Sequence, residues 1–427
     1  LSVSVAYFTT KITSKNRKVT VTSSELKMVF TSGTGQINSS SITPGWTSGE
    51  NTFTVTNESK KEYTYNLIIK DYINTTVTTG FLVYKITSTD GGYNMSEFKD
   101  VPKSSTAKDA ILAYSVEIAK GKTHSYSVEF KYLNSETESQ NEDMGKTLSG
   151  TLYIEKGTTE PFILAETIKT HATSHTNGVY NENGYRYEGT DPSNYIYMTN
   201  KSTNEKELWR IIGVFNDGAN GEEVIKVRRY YEKNSYPTMA YDSNSTNHFP
   251  NTTMYNILSS TYILTNYDYA VNYKMYLGTS ASYDSLTSSG WYTAERGNTA
   301  GSNANGVTSF ICSVGLIYPS DYGYGALANE CSRTLKLISY HETAVCYNNN
   351  WLYQGESRNQ WLITPLNSHP DRAFYVYVGG SVYDGDDFLP SRAYSVRNEW
   401  AYSPVMALSN DVLVSGSGTK TDPYVMN

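Results

Sequence analysis

Few residues of this 427-residue chain have the type and spacing to do chemistry. Cys331 and Cys346 stand 15 apart. A bond between them would close a short loop, worth about 3 kcal/mol in the chain-entropy picture. Two buried thiols is the other reading, and the extracellular character of the composition favours the bridge. Cys312, flanked by Phe310-Ile311 and Val314, is expected to be a buried thiol. His341-Glu342-Thr343-Ala344-Val345 begins as a zinc-protease helix does. That chemistry needs a second histidine at the fifth position, one turn on along the same face, and Val345 stands there. Residues 1–157 contain His124 as their one histidine, so no histidine triad can be built in that half.

Asp384-Gly385-Asp386-Asp387 could offer carboxylates to a calcium ion. No Glu follows at the spacing of an EF-hand, and no Glu-Pro-Asn, Gln-Pro-Asp or Trp-Asn-Asp triplet is present. A solvated acidic turn is therefore expected, with calcium at Asp384, Asp386 and Asp387 as the alternative. No nucleophile elbow, phosphate loop or dinucleotide fingerprint occurs. The expectation is no catalytic residue, no metal site, no cofactor and no enzyme. The stretch best suited to touching a ligand is 374–402. It carries Tyr375, Tyr377, Tyr383, Phe388, Tyr394, Trp400 and Tyr402 among Asp, Ser, Arg and Asn. Rigid amphipathic rings beside adaptable polar groups are the chemistry of binding surfaces. In an alternating strand Phe374, Val376 and Val378 would face one way, Tyr375 and Tyr377 the other.

The elements that must hold these residues are mostly strands. Aromatics make up 13% of the chain, with 39 Tyr, and only 18% is charged. Tyr and Thr favour strands, while the abundant Asn, Gly and Ser favour turns. Strand-like runs occur at 19–22, 25–30, 51–56, 63–69, 81–87, 110–118, 124–132 and 148–155, with a helical turn conceivable at 105–112. Leu1, Val3 and Val5 alternate with Ser2 and Ser4, an amphipathic strand that could pair at home or with a neighbour. The polar Gly/Pro-bearing segment 156–162 places a linker at 158–163, between a β-sandwich of 1–157 and a second domain of 164–427. In that domain a short helix is expected at 164–170. Hairpins are expected at 208–227 and 373–383, last strands at 405–408 and 411–414, and across 231–310 long surface loops with one or two short helices around 254–258. The fold class is mainly β: a sandwich followed by a loop-rich α+β domain.

Of 35 Lys+Arg and 42 Asp+Glu, residues 1–157 hold 17 and 16, so the remainder is acidic. That argues against nucleic acid and against anionic lipid as partners. No run of 18 apolar residues could span a membrane. A first residue of Leu is expected to be a processed end left by a secretory signal, making the protein secreted or surface-displayed.

Ala6-Tyr7-Phe8-Thr9, Pro44-Gly45 ahead of a strand ending Val55-Thr56-Asn57, the Gly121-Lys122-Thr123 turn and Gly150-Thr151-Leu152-Tyr153-Ile154-Glu155 resemble the TasA/camelysin family. The resemblance covers about residues 1–157. It implies a jelly-roll-like β-sandwich and assembly of identical subunits into an extracellular, biofilm-type filament by donation of an N-terminal strand. Leu1, Val3, Val5 and Tyr7 would supply that strand. Leu1–Val5 precede the family's start, so the processing site or donor strand differs from the family pattern. Residues 164–427 resemble an uncharacterised Tyr/Trp-rich surface domain of Firmicutes. The motifs are Tyr187-Glu188-Gly189, Trp209-Arg210-Ile211-Ile212-Gly213, Trp351-Leu352-Tyr353 and Gly418-Thr419 with Asp422-Pro423-Tyr424, together with stretches 315–324 and 361–365. The order of the late motifs is similar to that of C-type-lectin-like folds, although Tyr402-Ser403-Pro404-Val405 lacks their Arg before the Pro. The resemblances imply a filament subunit displaying a binding domain. The alternative is a monomeric adhesin that binds a host or matrix protein or a glycan.

Overall fold

A computed structural model describes residues 8–12, 18–22, 27–32, 37–157, 160–263, 267, 269–355, 357–383 and 396–426. The chain forms two compact units, Leu1–Glu160 and Pro161–Asn427. The architecture is mixed α+β with several sheets, and strand predominates.

The first unit is built from β1 (Phe8–Ile12), β2 (Lys18–Thr22), β3 (Lys27–Ser32), β4 (Ile37–Ile42), β5 (Trp46–Thr47), β6 (Asn51–Asn57), β7 (Tyr63–Asn74), β8 (Leu82–Ser88), β9 (Lys99–Asp100), β10 (Ser104–Ile118), β11 (Thr123–Tyr132) and β12 (Thr147–Lys156). One sheet has the order β10-β7-β12-β1-β4. The other runs β2-β3-β6-β11-β8-β9, with β5 also on β11. Burial alternates strictly along β6, β11 and most of β12, as expected of strands with one wet face. Val55, Val128 and Phe130 from one sheet share a core with Tyr65, Ile69 and Ile154 from the other. The conceivable helical turn at 105–112 is instead part of β10, which pairs antiparallel with β7 through several register shifts. Ala107-Lys108-Asp109-Ala110 suits a helix locally, and pairing with β7 overrides that preference. β1 pairs parallel with β12 and antiparallel with β4, so it has neighbours on both sides within its own unit. Leu1, Val3, Val5 and Tyr7 lie outside the described residues. His124 hydrogen-bonds through Nδ1 to the Tyr65 hydroxyl at 2.8 Å.

In the second unit the strand Phe162–Ile163 pairs with Leu413–Ser415. Two residues of the expected linker therefore belong to a sheet, and the helix Leu164–Ser174 follows at once. The central sheet places Val224–Arg229 between Glu205–Phe215 and Val405–Ser409. On the far side of Glu205–Phe215 lies Tyr195–Asn200, and the hairpin Val179–Asn181/Tyr185–Tyr187 attaches to the same strand. A second sheet runs Thr238–Ala240, Glu399–Ala401, Gln360–Pro365, Ala373–Val376, Val382–Tyr383. Gln360–Pro365 and Ala373–Val376 are buried at every position, so the expected division of Phe374 and Tyr375 between a core face and a ligand face does not hold. Among the described residues no helix is long and apolar enough to cross a membrane.

Candidate functional site

The expected ligand surface is largely interior. Tyr375 is buried, with its ring centroid 4.2 Å from that of Trp400, which in turn lies 4.2 Å from Trp361. Tyr383, Trp400 and Tyr402 are half-buried against the core, and Tyr377 is the exposed member at 40%. Phe388 and Tyr394 lie outside the described residues. The calcium alternative is corrected. Among the described residues no group of three or more His, Cys, Asp or Glu could hold a metal ion, and Asp384, Asp386 and Asp387 fall outside those residues. His341 is engaged through Nδ1 with Ser381 Oγ at 2.8 Å. Cys331 and Cys346 form a disulfide, and Cys312 is a buried free thiol, its pKa pushed up to about 12 by burial.

A different place gathers polar and aromatic side chains around open space. It is a cleft of about 370 Å³ bordered by Asn183, Tyr185, Asn216, Asp217, Tyr276, Tyr292 and Arg296, among others. The hairpin Val179–Asn181/Tyr185–Tyr187 builds one wall. Its turn needs Gly184, whose φ is +115° and where a Cβ would lie 2.6 Å from the Phe215 ring. Phe215 ends the long strand Glu205–Phe215, and Asn216 and Asp217 follow it. The Asp217 carbonyl accepts from the Lys274 N–H at 2.7 Å, which brings up Tyr273–Tyr276 and its last residue, Tyr276. The opposite wall is the helix Ser288–Glu295. Thr287 caps it by accepting from the Gly290 N–H, and Trp291 anchors it against Phe374 at 4.8 Å between centroids. Thr287→Ala is expected to cost about 1 kcal/mol of second-unit stability in thermal unfolding, the usual worth of such a cap.

Asp217 and Arg296, which line the cleft, belong to a larger set of buried charges. Asp217 receives Lys226 at 2.5 Å and Arg296 at 2.9 Å. Burial pushes its carboxyl up, but the two cations outweigh burial and hold it below the usual carboxylate range. Arg296 stacks on Tyr292 at 3.7 Å and on Tyr276 at 4.6 Å from guanidinium carbon to ring centroid. Arg186 pairs with Asp321 at 2.7 Å, and Phe215 lies against both Arg186 and Lys226. Asp321 also accepts from the Tyr318 N–H at the head of the wholly buried helix Pro319–Gly325. Glu295 is fully buried and accepts from the Ser320 N–H at 2.9 Å and its hydroxyl at 2.5 Å. Burial raises its pKa to about 7 against the pull of Arg296 and Ser320.

No family model, curated protein or solved structure matches the chain.

The cleft is not legible in the sequence, where 231–310 reads as loops with short helices only around 254–258, yet Tyr276, Tyr292 and Arg296 come from that region. A signal was available: Thr287 followed by an aromatic run and Glu295-Arg296-Gly297 carries the start and stop marks of a helix. Nothing local, however, ties Arg296 to Asp217.

Proposed function

We propose that the second unit is a non-enzymatic binding module for a glycan, carried by a secreted or surface-displayed protein. The observation that carries this reading is the cleft rim of Tyr185, Tyr276 and Tyr292 with Asn181, Asn183 and Asn216. A sugar has an apolar C–H face and a ring of hydroxyls. Tyrosine rings offer a flat face with a polar tip, and each Asn amide offers both donors and an acceptor. The strand and helix ends beneath hold these groups in place, which lowers the ordering cost of binding. The buried acids are engaged: Asp217 by two cations, Asp321 by Arg186, and Glu295 by the Ser320 hydroxyl and, at 3.7 Å, by Arg296. That favours a rigid receptor over a proton-transfer centre. The disulfide supports an oxidising compartment.

Screening the full chain on a glycan array is expected to give binding. Tyr185→Ala should weaken it about tenfold, equivalent to about 1.4 kcal/mol. A chain that binds no glycan would overturn the reading. Filament assembly by strand donation, if it accompanies binding, would use residues ahead of Phe8, because Phe8–Ile12 is already paired on both sides.

A further inference from the structure

Among the described residues three charged side chains border the cleft: Asp217, Glu223 and Arg296. The first and the last are closed to a ligand. Arg296 meets Asp217 at 2.9 Å through one terminal nitrogen and faces Glu295 at 3.7 Å with the other, which is buried. Lys226 takes the same Asp217 carboxylate at 2.5 Å and has almost no exposed surface. Two cations and two acids therefore close on one another, and none of the four is open to an outside anion.

Glu223 differs. Its side chain is 27% exposed, against 5% for Asp217 and 15% for Arg296. It stands immediately before the strand Val224–Arg229, after a turn closed by the Gly218 N–H on the Glu222 carbonyl at 2.9 Å, so the backbone sets its place at the rim. Its Oε2 meets Lys169 Nζ at 2.5 Å, on the helix Leu164–Ser174. Lys169 also meets Glu166 at 3.1 Å. Glu223 borders the cleft and Lys169 does not, so the pair presents its acid end to a ligand. A carboxylate accepts from sugar hydroxyls in charge-assisted bonds, stronger than neutral ones. It repels a second carboxylate or a sulfate, and like-charge contact is one of the means by which a site rejects a near relative of its ligand.

We infer that the cleft takes uncharged glycans and rejects acidic ones, and that Glu223 sets this preference while the tyrosines hold the sugar ring. This rests on the glycan-binding reading and narrows it.

The test is a glycan array on which sialylated and uronic glycans stand beside their uncharged parents, probed with the full chain. At least one uncharged parent is expected to bind about tenfold or more tightly than its acidic form. Titration of that parent in low salt and in about 0.5 M NaCl should give affinities within about threefold, because no ion pair forms on binding. Glu223→Gln keeps the shape of the side chain and removes its charge. It should bring the acidic form to within about threefold of the parent, with little change in thermal unfolding, since a partly exposed ion pair is worth little. Acidic forms bound as tightly as their parents, or more tightly, overturn the preference and leave glycan binding standing. An array with no bound glycan overturns both. An affinity for the parent that falls more than about threefold with salt shows ionic recognition and overturns the uncharged class. An acid penalty that Glu223→Gln leaves unchanged is steric and overturns the assignment to Glu223.

Discussion

Asp217→Ala is expected to destabilise the second unit by about 3–5 kcal/mol, the usual penalty for removing one partner of a buried charge set. The carboxylate it deletes is 5% exposed and faces Lys226, 1% exposed, and Arg296, 15% exposed. Without it Lys226 remains among tyrosines and Phe215 with no carboxylate, and Arg296, at the cleft, keeps only Glu295 at 3.7 Å. The loss belongs to the orphaned cations more than to the missing attraction, and a second substitution separates the two. Asp217→Ala combined with Lys226→Met should recover a large part of the stability, because a flexible apolar chain then replaces the buried ammonium. Urea unfolding of the three proteins measures this. A loss below about 1 kcal/mol in the single variant would mean that water reaches the cations, and the site would then be a surface feature.

Glu295 gives the second large effect, read as pH dependence. Burial pushes its carboxyl up to about 7, from an ordinary value of 4.5. The native state therefore holds a proton that the unfolded chain has released. That contribution is present in full below pH 4.5 and is lost as pH rises through about 7. At 1.36 kcal/mol per unit, the loss approaches about 3 kcal/mol on the alkaline side. Asp217 acts with the opposite sign. Its lowered pKa stabilises the fold above the ordinary carboxylate range, and that stability is lost in acid. The expected result is that wild type loses about 2.5 kcal/mol relative to Glu295→Gln between pH 5 and pH 8, measured by denaturant unfolding at both. Gln keeps an oxygen for the Ser320 N–H and cannot ionise. Parallel stability curves for the two proteins would show that the folded Glu295 titrates like an exposed acid.

What the sequence reveals of the fold tracks how burial is distributed. The strands 124–132 and 148–155 are legible because one face is wet, and alternation records that in the residue order. The hairpin joining Glu205–Phe215 to Val224–Arg229 is legible from its apolar runs and the glycine-bearing turn between them. Ala373–Val376 shows no alternation because both of its faces are covered, so Tyr375, which looks like a contact residue in sequence, is a core residue in space. The cleft was harder still. Tyr185, Asp217, Tyr276 and Arg296 come from four segments, and each is an ordinary residue in its own neighbourhood. Their meaning depends on distances such as the 2.9 Å between Arg296 and Asp217, which no local period encodes.

The place of β12 has a consequence for the order in which the first unit can be made. It is the last strand of that unit in sequence and the middle strand of its sheet, between β7 and β1. Thr9 meets Thr147, and Ile73 meets Ser149. While the chain emerges from a ribosome, β10 with β7 and β1 with β4 can exist only as separate ribbons, each with the margin that β12 will cover still bare. Closing the gap spends the entropy of a very long loop before any contact returns it, which places this unit among slow folders. A nascent chain halted before Thr147 would carry two unsatisfied β margins awaiting one strand, the form in which chaperones and aggregation compete for it.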